Sequence, residues 1–226
     1  LPGATETYRD ITGTKIYFQN STDGKTNAYA YFADVTNIIS GLTDPEGTYT
    51  VANISTLSGA RPNSEGLSAG WSLYIIYENP KLPSKYITSF DGYSIISSTN
   101  NQDVTVSGFQ TIPVGEVKAK FAFSAFEGDK NYTGDYLSIN GTKINATNDA
   151  GTIIRPTNDF FNSSVSYIDP VTDKPELFTT RVPKSSNTLG FDAGILNIPN
   201  NGNVIIKNGD TSAAIRLGSS KDLYYF

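Results

Sequence analysis

The hydrophobic and polar positions of this chain alternate or bunch over short stretches, five to ten residues at a time, with turn residues between them. Glu116–Ala125 has the clearest period of two. Val117, Ala119, Phe121 and Phe123 fall on one face, and Glu116, Lys118, Lys120 and Ser124 on the other. That is the pattern of a strand in an antiparallel sheet with one wet face. A second pattern, GWSLYIIYENPKLP at Gly70–Pro83, is apolar without alternation from Trp71 to Tyr77 and stops at Asn79-Pro80. Such a run predicts a central strand over 71–78, covered on both faces, with Trp71, Leu73, Ile75 and Tyr77 in the core beside Val117, Phe121 and Phe123.

The remaining elements follow in chain order. Strands are expected at Thr14–Gln19 and Asn27–Phe32, separated by the turn Ser21-Thr22-Asp23-Gly24. Asp34 is placed to cap one helical turn ending at Ile39. The turn Asp44-Pro45-Glu46-Gly47 precedes a strand over Thr48–Ile54, and Lys85–Ser97 reads as one or two strands broken by a hairpin signal at Asp91-Gly92. Asp103–Gln110 is a further strand. Leu137–Ile144 is a hairpin about Asn140-Gly141, and 146–192 is largely loop around a short piece at Phe160–Tyr167. Asn203–Lys207 and Ala213–Leu217 are expected to pair through Asn208-Gly209, and Leu223–Phe226 starts another strand. The economical architecture is all-β: a single antiparallel β-sandwich, jelly-roll-like, with long loops, forming one domain over 1–226.

Composition narrows the chemistry. The 226 residues carry 17 Lys and Arg against 22 Asp and Glu, a net charge of −5 with no basic block, which argues against nucleic acid and against an anionic membrane. No apolar run reaches the roughly 18 residues of a helical span, so direct membrane insertion is not expected. There is no Met, so Leu1 is expected to be a processed, proteolysed or trimmed start. There is also no His and no Cys, which removes Ser–His and Cys–His nucleophiles and His-ligated zinc. Gly66-Leu67-Ser68-Ala69-Gly70 spells G-x-S-x-G, but a strand rather than a helix is expected after it, and no imidazole exists to serve as base. No catalytic residue is assigned and the chain is not expected to be an enzyme. A carboxylate pair drawn from Glu78, Glu127, Asp129 and Asp135 is the least favoured reading, a glycosidase.

The acidic residues have a second reading. Glu127, Asp129 and Asp135 lie within nine positions of a glycine-punctuated loop, where hard oxygen donors suit Ca²⁺, and Asp192 can join them from a distant loop. Asn20, Asn53, Asn131, Asn140, Asn145 and Asn162 each open an Asn-x-Ser/Thr sequon, marking surface positions and glycosylation sites in a host that glycosylates. Tyr29, Tyr31 and Tyr224-Tyr225-Phe226 are the aromatics expected at the surface, where they could form a platform for carbohydrate. Lys118 and Lys120 are candidates for an isopeptide staple, although both fall on the wet face.

The chain resembles an uncharacterised β-sandwich domain of large secreted and surface-anchored, adhesin-like bacterial proteins, with distant relatives in methanogenic archaea. The resemblance rests on ADVT at Ala33–Thr36, GTYTVANI at Gly47–Ile54 and GWSLYIIYENPKLP at Gly70–Pro83. It continues through FDG at Phe90–Gly92, FEGD at Phe126–Asp129, TGD at Thr133–Asp135, FFNSS at Phe160–Ser164 and NTLGFDA at Asn187–Ala193. It implies an extracellular or cell-surface location and a non-enzymatic structural or adhesive module, part of a longer surface protein or a processed subunit. Its partners would be other surface domains or copies of itself, and a carbohydrate-binding module is the alternative. Family members add an aromatic strand before the segment matching Thr5–Phe32 and an apolar strand after Tyr224–Phe226. This raises a further alternative, a filament subunit joined by strand addition, with Pro2–Asp10 or Asp222–Phe226 as the donated strand.

Overall fold

The structure, a computed structural model, describes residues 1–2, 8–18, 28–56 and 68–226. The chain divides into two compact units: Leu1–Ala60 with Asp91–Tyr93, and Arg61–Phe90 with Ser94–Phe226. The expected turn at Ser21–Gly24, the sequon at Asn20 and the Gly66-Leu67 part of G-x-S-x-G lie outside the described residues.

The first unit is small. β1 (Thr14–Phe18) and β2 (Tyr29–Phe32) pair antiparallel, with a register irregularity between Lys15 and Tyr17. Tyr17 stacks on Tyr93 at 4.2 Å between ring centroids. α1 (Thr36–Ser40) is the expected helical turn. Its N-cap is Val35, and Asp34 acts one step earlier by accepting the Thr36 N–H at 2.9 Å. Asp44 accepts the Glu46 N–H at 3.0 Å, which makes the predicted turn, but Thr48–Ile54 forms no strand.

The second unit holds the core. Its strands are β3 (Ile95–Ile96), β4 (Gln102–Ser107), β5 (Lys120–Phe126), β6 (Asp135–Ile139), β7 (Thr142–Lys143), β8 (Ala146–Thr147) and β9 (Ile153–Arg155). β10 (Val165–Ile168), β11 (Pro175–Leu177), β12 (Phe191–Asn197), β13 (Ser212–Ser219) and β14 (Tyr224–Tyr225) complete it. A six-stranded sheet runs β11-β10-β12-β5-β14-β3, a four-stranded sheet runs β4-β13-β6-β7, and β8 pairs with β9. Pairing is antiparallel except between β10 and β12. Phe123, Leu196, Ile96 and Tyr224 from the larger sheet and Leu137, Ile139, Ile215 and Leu217 from the smaller are buried in one apolar cluster. The fold is an all-β sandwich.

Local sequence explains much of this. In β5 and the residues leading into it the predicted face is the inner one: Val117 and Phe123 are buried, while Glu116, Lys118 and Lys120 are exposed. Asn140 and Gly141 take φ of 48° and 82°, the left-handed pair that a two-residue hairpin turn needs. The Asn140 side chain also accepts the Ala214 N–H at 2.8 Å and donates to the Ile205 carbonyl at 2.7 Å.

Three further expectations are corrected. The run 71–78 is not the central strand: it forms no ladder, Ile75 and Tyr77 are 49% and 71% exposed, Trp71 is exposed, and Leu73 is half-buried. The interior places are already taken, since β5 lies between β12 and β14, and β13 between β4 and β6. At the start of the segment Gly70 lies against the rings of Phe126 and Phe191. Lys85–Ser97 contributes only β3 to a sheet, and Asp91-Gly92 joins no hairpin. Asn203–Lys207 is not a strand either, because the N–H groups of Ile205 and Ile206 both donate to buried Asn200 Oδ1 at 2.9 Å, so they wrap that side chain instead of a neighbour. The central pairing is β12 with β5, seven residues in unbroken register from Phe191↔Phe126 to Asn197↔Lys120.

Candidate functional site

The polar groups of the second unit converge beside β12. Arg155 closes β9 behind the apolar pair Ile153-Ile154, a position that carries its guanidinium into the core, where it is 0% exposed. Its Nη1 donates to Asp192 Oδ1 at 2.9 Å and to the Phe160 carbonyl at 2.7 Å. Nη2 donates to the carbonyls of Ser164 and Ala193 at 2.7 and 3.1 Å, and Nε to Ser166 Oγ at 3.3 Å. Its plane lies 5.0 Å from the Phe123 ring centroid.

Asp192, also 0% exposed, is engaged on both oxygens: Oδ2 accepts the Ser163 N–H at 2.9 Å and Oδ1 the Ser164 N–H at 3.1 Å. Burial pushes the Asp192 carboxyl up and the Arg155 guanidinium down, and the ion pair works against both. Gly128 packs so tightly here that a Cβ would strike the Phe161 carbonyl and Asp192 Oδ2. The arrangement ties β9, β10 and β12 together.

A second set of carboxyls lies nearby. Asp135 is fully buried; Oδ1 accepts the Phe161 N–H at 2.7 Å and Oδ2 meets no donor. Asp222 is 4% exposed; Oδ1 accepts the Leu223 N–H at 2.8 Å and Oδ2 meets no donor. Asp159 is half-buried with Oδ1 unpartnered. Burial, with neighbouring carboxylates adding to it, pushes Asp135 and Asp159 up to about 6 and Asp222 up to about 7. Burial likewise raises the Tyr224 hydroxyl.

The residues named as calcium ligands are distributed differently. Asp135 and Asp192 are inside, in the two arrangements above. Glu127 and Asp129 line a shallow hollow of about 160 Å³ with Ser68, Lys130, Ser163, Asn187 and Leu189. Ser68 Oγ donates to Glu127 Oε1 at 2.7 Å. Glu127, Ser163 and Leu189 all have positive φ, 67°, 56° and 56°. Among the described residues, no three acidic side chains come together closely enough to hold a metal ion. Glu78 is exposed on the unpaired 68–90 segment. Lys118 and Lys120 form exposed ion pairs with Glu116 at 3.5 Å and Asp173 at 2.6 Å.

Of the sequons, Asn53 and Asn131 are exposed and Asn145 is half-buried. Asn140 and Asn162 use their amide nitrogens on the carbonyls of Ile205 and Ile154. Tyr29 and Tyr31 are exposed as expected, but Tyr224 is buried and stacks on Phe161 at 4.4 Å, so the C-terminal aromatics form no open platform. Asp222–Phe226, one of the two segments named as a donated strand, pairs within its own sheet as β14. Arg155, Asp159 and Asp222 were not among the residues singled out in the sequence. The local sequence carried no distinctive signal, since Lys207 follows Ile205-Ile206 just as Arg155 follows Ile153-Ile154 and is exposed.

Compared with protein-family models, with curated proteins and with solved structures, the chain matches none.

Proposed function

We propose that the chain is a non-enzymatic structural and adhesive module of a prokaryotic cell-surface or extracellular protein. The observation that supports this is the closure of the Arg155–Asp192 centre: this ion pair is fully buried and its groups are engaged by neighbouring backbone, leaving no face for a substrate. Such a centre stiffens a scaffold rather than transforming a ligand. The sequence resemblance points the same way.

The test is retention with no product. Beads coated with the purified chain should be held by cell surfaces, extracellular matrix or copies of the chain, and a polysaccharide panel incubated with it should release no sugar. Sugar release that disappears in Glu127→Gln would replace this reading with a glycosidase.

Carbohydrate binding is the second reading, favoured by the exposed aromatics Trp71, Tyr74, Tyr77, Tyr86 and Phe90 along one segment. Glycan-array binding that is lost in Tyr77→Ala would favour it over protein adhesion.

A further inference from the structure

The ladder along β5 is complete on one side and open on the other. Towards β12 all seven residues are paired. Ile198 donates to the Ala119 carbonyl at 2.9 Å and Glu127 to the Gly190 carbonyl at 2.6 Å, so the odd-numbered residues of this stretch exchange backbone bonds with β12. Antiparallel pairing then turns the N–H and C=O of Lys120, Ala122, Ser124 and Phe126 to the opposite side. β14 has its place there in the strand order but meets β5 at a single rung, Tyr225 opposite Phe126. Among the described residues no other strand pairs with that side, so the rungs from Lys120 to Ala125 form an open slot. The slot is apolar towards the core: Phe123 and Ala125 are buried, Phe121 is half-buried, and Phe226 stacks on Phe123 at 6.4 Å between centroids. Ala122, on the other face, is exposed.

The same chain carries an apolar run without a ladder. Trp71–Tyr77 is seven residues long, as β5 is, and contains no charge and no Pro. Both of its alternating faces are apolar or aromatic apart from Ser72. It stays out of the sheets, and Trp71, Tyr74, Ile75, Ile76 and Tyr77 are exposed. In its own chain the run begins beside Phe126, with Gly70 against that ring, at the rung that Tyr225 already fills. An open rung beside a core asks for a segment of this kind, extended, apolar and with its backbone free to pair.

We propose that two copies of the chain exchange these segments, Trp71–Tyr77 of each adding as a strand along Lys120–Ala125 of the other. The exchange names a partner for the structural module inferred above and rests on that reading. Trp71, Tyr74 and Tyr77 are 39, 56 and 71% exposed. At about 150–250 Å² for each ring, roughly 300 Å² of aromatic surface is free in one copy. One docked strand and the surface it covers then bury roughly 600 Å², short of a specific interface, whereas two reach its lower bound of about 1,200 Å². The exchange is therefore reciprocal.

Sedimentation velocity on the full chain across a concentration series should show monomers giving way to dimers. Ala122→Pro removes the N–H that this residue turns to the slot and no bond to β12. It should weaken the dimer by about tenfold or more, with the circular dichroism spectrum unchanged. Because the chain contains no Cys, single cysteines map the contact independently. Ala122→Cys in one preparation, mixed with Ser72→Cys, Leu73→Cys, Tyr74→Cys or Ile75→Cys in another, should form heterodisulfides at alternate positions only. Either 72 and 74 or 73 and 75 should react, because strand side chains alternate between faces. Monomers at every concentration, an undiminished dimer in folded Ala122→Pro, polymers in place of dimers, or cross-linking without alternation would overturn the exchange. None of these results bears on the retention of coated beads by cell surfaces or matrix, so the module reading is tested separately.

Discussion

Replacing Arg155 with Met tests the centre of the fold most directly. Met is close in length and apolar, so packing volume is nearly kept while the charge and all five N–H donors disappear. Asp192 then stays buried at 0% exposure, with two backbone N–H groups but no counter-ion. Breaking a buried ion pair from one side typically costs about 3–5 kcal/mol. The carbonyls of Phe160, Ser164 and Ala193 lose their donors as well, each a further cost of about 1 kcal/mol or more where water cannot replace the bond. These terms are not additive, so about 4 kcal/mol is a conservative expectation, against the roughly 5–15 kcal/mol by which a domain is stable. Urea unfolding followed by circular dichroism should show the midpoint falling sharply with little change in slope. The double variant Arg155→Met/Asp192→Leu should cost less than the sum of the two single changes, since it leaves no unpaired charge behind. A loss under about 1 kcal/mol in Arg155→Met would refute the argument, because a group with this many partners cannot be that dispensable.

The other predictions concern packing and pH. Asp135, Asp159 and Asp222 have folded values of about 6, 6 and 7 against 3.8 for a free Asp, so the folded state holds more protons than the unfolded one across that window. Their contribution is therefore complete below about pH 4 and is lost as the pH rises towards 7; the urea midpoint should fall over that range, and a midpoint that climbs would contradict it. Ile75→Ala, at an exposed position, should cost under about 0.5 kcal/mol. Phe161→Ala, fully buried among Phe123, Phe160 and Tyr224, should cost about 3–5 kcal/mol; equal losses at the two sites in the same denaturation series would mean that the apolar run is core after all. Gly128→Ala forces a methyl group against the Phe161 carbonyl and Asp192 Oδ2, and should lose at least about 1–3 kcal/mol by thermal or chemical unfolding.

Local chemistry determined several elements without any help from the fold. Alternation in 116–125 placed β5 and its inner face, Asn140-Gly141 placed the β6–β7 turn, and the paired runs at 14–18 and 29–32 placed β1 and β2. Each depends only on residues near in sequence, through side-chain period or a backbone that needs positive φ. Tertiary structure decided the rest, because strand pairing and charge burial join residues far apart. GWSLYIIY has the apolar surface of a central strand yet joins no ladder of its own chain, while Phe191–Asn197, diluted by Asp192, Ala193 and Gly194, takes the central place because β5 and β10 both pair with it. The carboxylates divided in the same way. Near one another in sequence, Glu127, Asp129 and Asp135 suggested one loop site, but the sheets turned Asp135 inward towards Asp159 and Asp222 and left Glu127 and Asp129 at a hollow near the surface. Whether an acid is solvated, paired with Arg155 or buried beside other acids depends on what the folded chain brings against it, and that contact is made across the sheets rather than along the sequence.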